Sequence, residues 1–252
     1  WNQIIDATEK AFQQGCDGVV VTHGTDTLHI SSSAVAYAWC GDGKKAPGRI
    51  AFVGSQRSSD RASSDAAQNL IAAVTWAAQG PTPTGNLSDC VVVAMHRTSD
   101  DGACSIHAAT GVRKLHSSRR DAFRPVNTQP LATVIIGEGT NEIQLSEHYQ
   151  KNRMQHSERE IATAASRFKS DLSIRQFTSG PWLLSAEINE AIESNVDALV
   201  IHGTGLGHVP IENPNEDAPQ NLELRSSIQK AIDHNIPVMI VNQCIHGPVD
   251  MN

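Results

Sequence analysis

GVVVTHGTDTLHISSSAVAYAWC, residues 18–40, and RIAFVGSQRSSDRASSDAAQNLIAAVTWAAQ, residues 49–79, share one pattern. In each, a short apolar run ends at glycine and polar residues and gives way to an alanine-rich stretch of helical character. CVVVAMH, residues 90–96, supplies a third run of the same kind. Runs that do not alternate apolar and polar suit strands buried on both faces, so this βαβα rhythm predicts an α/β fold with a parallel sheet covered by helices. In that class, ligands sit at the carboxyl ends of the strands.

The theme returns after a polar interval. IRQFTS (174–179), SAEINEAIES (185–194), DALVIHG (197–203), LELRSSIQKAIDH (222–234) and PVMIVNQ (237–243) read as strand, helix, strand, helix, strand. QGCDGVVVTHGT (14–25) and SNVDALVIHGT (194–204) also resemble each other, which suggests two related halves. The expected division is a larger N-terminal domain over residues 1–136 and a smaller α/β C-terminal domain over 170–252. A linker over 137–169 would join them, carrying a hairpin-like GEGTNE and the charged EHYQKNRMQHSERE.

Composition narrows the function classes. Lys plus Arg number 20 against 27 Asp plus Glu, and the formal charge of −7 has the wrong sign for gathering nucleic acid by counterion release. No apolar run approaches the ~20 residues that span a bilayer, and no leader-like segment opens the chain. A cytoplasmic protein is expected. Cys16, Cys40, Cys90, Cys104 and Cys244 form no CxxC pair, so neither a disulfide framework nor a zinc site is predicted, and buried thiols are expected. The chain opens on Trp1 and stops after CIHGPVDMN with no cap or tail, and is read as a piece cut at both ends.

Three stretches could carry chemistry. HGTDT, residues 23–27, lies where a strand passes into a helix. Gly24 permits a tight turn there, and Thr25 and Asp26 offer a hydroxyl and a carboxylate beside free helical N–H groups. Capping preference alone favours the plainer reading, with Thr25 or Asp26 as the helix cap. VGSQRSSDRASSDAAQNL, residues 53–70, is dense in Ser, Asp and Arg. It reads more readily as a self-satisfied network, Asp60 and Asp65 holding Arg57 and Arg61, than as a binding surface. GVRKLHSSRRDAFRP, residues 111–125, has five basic side chains and one acid and reads as an irregular, solvated run. Lys114 there could assist a hydroxyl packed against it. His96, His107, His202 and His208 lack metal-ligand spacing and are read as packing or polar core residues, with no metal expected.

THGTDT, followed by GSQR…SSDAAQNL, resembles the asparaginase/glutaminase family, whose members carry THGTDT and then a GSMRP…SADG..NL stretch. HGTGLGHVP (202–210) and NQCIHGPVDMN (242–252) extend the likeness over essentially the whole chain. GSQRSSDRASSDA and VRKLHSSRRDAFRP depart from ordinary asparaginases. They resemble the branch formed by the D subunits of archaeal glutamyl-tRNA(Gln) amidotransferases.

The resemblance implies a glutaminase that frees ammonia for an E-type partner subunit, which amidates glutamate already esterified to tRNA(Gln). It implies a homodimer that leaves tRNA contact mainly to that partner, with ATP and Mg used only there and no cofactor here. Thr25 matches the family's second catalytic threonine, Asp26 its partner aspartate and Lys114 its lysine, while Gly24, Asp26 and Ser55 fall at substrate-binding positions. The first catalytic threonine, in a TGGTI motif, and a lid tyrosine would lie upstream of Trp1. Final helices and a carboxylate completing a neighbour's site would lie beyond Asn252, so residues 1–252 alone are expected to be inactive. The alternatives are a free-standing L-asparaginase and a non-catalytic binding module on the same fold.

Overall fold

In the runs that lack alternation, successive side chains face two different cores. The computed structural model, which describes residues 1–155 and 159–250, places Arg49–Val53 (β2) and Val91–His96 (β3) side by side in parallel. Ile50, Phe52, Val91, Val93 and Met95 point into one cluster, and Ala51, Val53, Val92 and Ala94 into another. Gly18–Thr22 (β1) pairs parallel to β2. Helix Leu28–Cys40 (α2) covers the first face with Val35 and Trp39, and Ala66–Gln79 (α3) covers the second with Ala72, Ala73 and Trp76. Asn2–Gln13 (α1) adds Ile5 to the first cluster, and the short Leu87–Cys90 (α4) leads into β3. Burying a Phe, Ile or Val fully is worth about 1.5–3 kcal/mol, so a strand with apolar residues on both faces cannot sit at the surface.

The sheet is not parallel throughout. Ala103–Ala108 (β4), Ala132–Ile136 (β7) and Asn141–Leu145 (β8) extend it in the order β1-β2-β3-β4-β7-β8, and each pair after β3 is antiparallel. Val112–Lys114 (β5) and Phe123–Pro125 (β6) form a separate hairpin. The stretch 111–125 is only in part the solvated run expected from its charge: Arg113, Arg124 and residues 115–119 are exposed, while Val112, Ala122 and Phe123 are buried in the first cluster.

Residues 137–169, expected as a linker, hold a turn, β8 and the helix Glu147–Gln155 (α5). The first compact unit continues to Phe168. Tyr149 and Ala162 are buried, and Ile143, Leu145, Ala165 and Phe168 pack partly buried against the two clusters. Tyr149 Oη donates to Asp89 Oδ2 at 3.0 Å, with Arg153 beside it. Of the charged stretch 147–160, residues 156–158 lie outside the described residues, as do 251–252 of the final matching segment.

The second unit, residues 169–252, contains Ile174–Thr178 (β9), Ser185–Glu193 (α6), Ala198–Gly203 (β10), Pro219–Asp233 (α7) and Val238–Asn242 (β11). These elements match the five expected from the sequence. The strands are parallel in the order β11-β10-β9, with Leu199 and Ile201 fully buried beneath Ile188 and Leu224. A Cβ on Gly203 would lie 2.3 Å from the Gly207 carbonyl, so the HGTG turn folds directly onto the end of its strand. Among the described residues, no helix is long and apolar enough to cross a membrane.

Two cysteine expectations fail: Cys16 and Cys244 are exposed, not buried, and a disulfide is present. Cys40, the last residue of α2, and Cys90, the last of α4, are joined in a disulfide with Cα atoms 6.5 Å apart. Their spacing of 50 residues in sequence hid the proximity that packing α2 against β3 creates. Closing a loop of that length constrains the unfolded chain by about 4 kcal/mol at most. The intact mass should lie about 2 Da below the fully reduced value. A Cys40→Ala/Cys90→Ala variant is expected to lose about 2–4 kcal/mol in urea unfolding; equal midpoints with and without reductant would refute this.

His107, on β4, provides a second check. Burial first, and the charge of Arg124 second, push its imidazole down to about 3. The folded chain holds it neutral, whereas the unfolded chain protonates it near ~6.5. Between these values the unfolded state binds more protons, so the contribution is intact above pH ~6.5 and is lost as pH falls toward 3, at up to about 1.4 kcal/mol per pH unit. Urea unfolding from pH 7 to 4.5 should show a shallower loss for His107→Leu than for wild type. Identical slopes would contradict it.

Candidate active site

Parallel pairing of β1 and β2 sets two strand ends, and the loops that follow them, next to each other. Thr22 pairs with Val53, and the His23 amide donates to the Val53 carbonyl at 2.9 Å. The next residues, Gly24-Thr25-Asp26 and Gly54-Ser55, therefore leave the sheet together. A Cβ at Gly54 would lie 2.7 Å from the His23 carbonyl oxygen and 2.8 Å from Thr25 Cγ2. The glycine that packing demands is thus Gly54, whereas a Cβ at Gly24 would meet nothing within 4 Å.

Thr25 and Asp26 do not cap the helix. The N-cap of α2 is Thr27, which makes no side-chain capping bond. Both residues turn instead to Lys114 on β5, whose Nζ lies 3.0 Å from Thr25 Oγ1 and 2.9 Å from Asp26 Oδ1. The three residues singled out in the sequence, separated by nearly 90 positions, meet at hydrogen-bond distance. The Lys114 side chain is 12% exposed and that of Asp26 94%. The hydrogen bond from Lys114 first, and its charge second, hold the Asp26 carboxyl below its usual range, so it is ionised and open to solvent at neutral pH.

Two cavities flank this segment. One, of 430 Å³, is lined by Gly24, Gly54 and Ser55, with Thr22, His23, Val53, Ala66 and Leu70 around them. The other, of 330 Å³, is lined by Asp26, His29, Lys114, Leu115, His116 and Ser117. Gly24 and Ser55 share the first and Asp26 and Lys114 the second, with Thr25 between Gly24 and Asp26 in the chain. His29, not singled out in the sequence, stands in the first turn of α2. Burial first, then the charges of Arg113 and Lys114, lower its pKa and keep it neutral.

The loop 54–65 is a self-satisfied network, but not the one expected. Asp65 does not hold arginine side chains. It accepts from the backbone N–H groups of Gln56 and Arg57 at 3.0 and 2.9 Å, and Ser55 Oγ lies 2.9 Å from it. Burial by itself would raise its pKa, yet these donors hold it below the usual carboxylate range. Sequence reading missed this role because backbone donors leave no mark in the residue types. Gln56 Nε2 also donates to the Arg119 carbonyl at 3.0 Å, tying this loop to the β5–β6 hairpin.

The arginines of that hairpin are mostly engaged. Arg119 meets Asp121 in two bonds of 2.9 and 2.7 Å, Arg124 bonds the same carboxylate, and Arg120 bonds Asp101 at 2.6 Å. Of the four histidines read as packing or polar core residues, His96 bonds Asn69 and His202 bonds Gln176. Among the described residues, no group of three or more His, Cys, Asp or Glu is placed to hold a metal ion.

Residues 1–151 match the family model described as asparaginase, N-terminal. The D subunit of the glutamyl-tRNA(Gln) amidotransferase of Thermofilum pendens is 37% identical over 255 residues, covering 100% of this chain and 50% of that protein. The D subunit of the same enzyme from Methanobrevibacter smithii is 33% identical over 252 residues, again covering 100% of this chain and 50% of the relative. The chain thus spans about half the length of the curated relatives it matches. Among solved structures, the thermostable L-asparaginase from Thermococcus kodakarensis superposes with a TM-score of 0.72 at 25% identity, covering 99% of this chain and 64% of that one. A probable cytoplasmic L-asparaginase from Campylobacter jejuni shares the fold, with a TM-score of 0.71 at 21% identity over 100% of this chain and 69% of its own. With its family model covering residues 1–151 and the asparaginase-like fold extending over both units, the chain belongs to the asparaginase family.

Proposed function

We propose that the protein of which this chain is part is a glutamine amidohydrolase. In this reading it releases ammonia for the tRNA-dependent conversion of Glu-tRNA(Gln) to Gln-tRNA(Gln) by an E-type partner subunit. The observation that carries the chemistry is Lys114 Nζ at 3.0 Å from Thr25 Oγ1 and 2.9 Å from Asp26. A threonine hydroxyl is a poor nucleophile until a neighbouring group takes its proton. Lys114 can accept that proton once it has passed one of its own to Asp26 Oδ1, 2.9 Å away. The activated Thr25 oxygen then draws a proton from the attacking hydroxyl or water as the new C–O bond forms at the carboxamide carbon. As the tetrahedral intermediate collapses, the leaving nitrogen takes up a proton through the same relay, the C–N bond breaks and ammonia departs; where a hydroxyl attacked, water then releases the acyl group in the same way. Gly24 and Ser55 line the cleft for the amide substrate, and the exposed carboxylate of Asp26 faces its α-ammonium.

The choice of glutamine and of a tRNA-dependent partner is supported by the amidotransferase relatives and by the segments 54–66 and 112–125, which the hydrogen bond from Gln56 to the Arg119 carbonyl joins in space. The reading brings with it a cytoplasmic homodimer without a cofactor of its own. The Cys40–Cys90 disulfide is unusual for that compartment, so the mass measurement bears on localisation as well as stability.

In the full-length protein, Thr25→Ala and Lys114→Ala should each lower kcat by about 10²–10⁴ with unchanged far-UV circular dichroism. The double variant should be scarcely worse, because residues that act as one unit are not additive. Near-normal turnover of Lys114→Ala removes the lysine from the mechanism. Ammonia release from residues 1–252 alone, above a Thr25→Ala control, would show that no upstream threonine is needed.

Substrate and partner are tested together by glutamine and asparagine hydrolysis with and without the E subunit and Glu-tRNA(Gln). The expected result is low turnover alone, a preference for glutamine and stimulation by both components. Full turnover alone, unchanged by the additions and higher with asparagine, would establish a free-standing asparaginase instead.

A further inference from the structure

Behind the Ser55 loop, a line of buried polar side chains runs from Asp65 through Asn69 to His96, which faces the exposed Asp101 in the loop after β3. The carboxylate of Asp65, itself inaccessible to solvent, accepts a bond from Asn69 Nδ2 at 2.8 Å in addition to its bonds from the loop. Asn69 Nδ2 also donates to the Gly54 carbonyl at 2.9 Å. The carbonyl and the ionised carboxylate can only accept, so the orientation of the Asn69 amide is fixed: its nitrogen faces Gly54 and Asp65, and its oxygen faces β3 and β4. That oxygen meets His96 Nδ1 at 2.6 Å and Cys104 Sγ at 3.5 Å.

The tautomer of His96 follows. Facing an acceptor, Nδ1 carries the proton and Nε2 is bare. Among the described residues Nε2 is buried without a hydrogen-bond partner, 3.6 Å from Asp101 Oδ1, which is itself engaged by Arg120. The groups facing the ring are thus Asn69 and Asp65 from the α3 side, Cys104 from β4, and Asp101 and Arg120 at the surface. Burial first and the charge of Arg120 second hold the imidazole neutral. Burial likewise pushes the Cys104 thiol up to about 12, so it remains a donor.

We propose that Asn69 and His96 are positioning residues for the substrate loop, residues 54–57, acting through Asp65 and the Gly54 carbonyl. His96 fixes the Asn69 amide, and Asn69 fixes the two acceptors that set where Gly54 meets Thr25 and where Ser55 enters the cleft. Neither side chain lines that cleft, so both act at one remove. The proposal rests on reading the cleft as the amide-substrate site.

Three substitutions in the full-length protein separate positioning from mere packing. His96→Asn keeps an amide N–H where Nδ1 stood, His96→Gln moves it to the place of Nε2, and His96→Leu removes it. The Leu and Gln variants should raise KM for glutamine about tenfold, the loss of roughly one buried hydrogen bond, while kcat stays within about threefold. His96→Asn should keep KM near wild type. A packing role alone would lower the melting temperature of all three without ordering their KM values in this way.

Hydrogen exchange by NMR at the Gln56 and Arg57 amides reads the loop directly and needs no catalysis. It therefore stands even if the protein hydrolyses no glutamine, which would sink the functional reading but not the positioning. Protection should be retained in wild type and His96→Asn and fall at least about tenfold in His96→Gln. Should His96→Leu not fold, the Asn and Gln pair decides. Free exchange of these amides in wild type, or equal KM and equal protection in Asn and Gln, overturns the proposal.

Discussion

Because β2 and β3 are buried on both faces, the chain cannot place polar chemistry along them and must gather it where they end. β1 and β2 run parallel in register, so their carboxyl ends coincide and the loops after them leave the sheet as neighbours. This adjacency puts the Thr25 methyl against Gly54, where a Cβ would lie at 2.8 Å. The β5–β6 hairpin, anchored in the first core cluster by Val112, Ala122 and Phe123, then delivers Lys114 to the same place. The position of every candidate site residue follows from that one packing constraint.

The carboxylates near the site divide by what surrounds them. Asp65 is buried and its lone pairs accept from backbone amides, a hydroxyl and an amide side chain, so it serves as part of the scaffold. Asp26 is exposed, has Lys114 as a partner, and remains open on its other side. A buried charge left unpaired would be costly, whereas an exposed one can stay available to a ligand. The arginines follow the same rule. Arg119 and Arg124 are tied to the buried Asp121, and Arg120 is tied to Asp101, so the basic run shapes the hairpin more than it offers free charge.

Much of the fold was legible in the amino-acid order because apolar runs and alanine-rich stretches report local burial. The strands at 18–22, 49–53, 91–96, 174–178, 198–203 and 238–242 and the helices between them follow that pattern. The antiparallel extension through β4, β7 and β8 did not, since short alternating or polar segments such as NEIQL carry a weak signal. The polar stretch 137–169 read as a linker for the same reason. Ile143, Leu145 and Tyr149 against the second cluster, and Ala162, Ala165 and Phe168 against the first, seat this chain on the core.

Thr25, Asp26 and Lys114 could be named from their motifs, and the resemblance gave them roles, but nothing in the spacing from 26 to 114 says that a lysine nitrogen will lie 2.9 Å from that aspartate. Likewise Cys40 and Cys90 look like isolated thiols until α2 packs beside β3. The sequence by itself determined the residue types, the local periodicity and the loops that carry the chemistry, because these depend on neighbours a few positions apart. Only the tertiary structure decided which distant groups meet, that Asp65 binds backbone instead of arginine, and which nitrogen of His96 holds its proton. Those outcomes depend on distances across the sheet, and such distances are set when both faces of β2 and β3 are buried together.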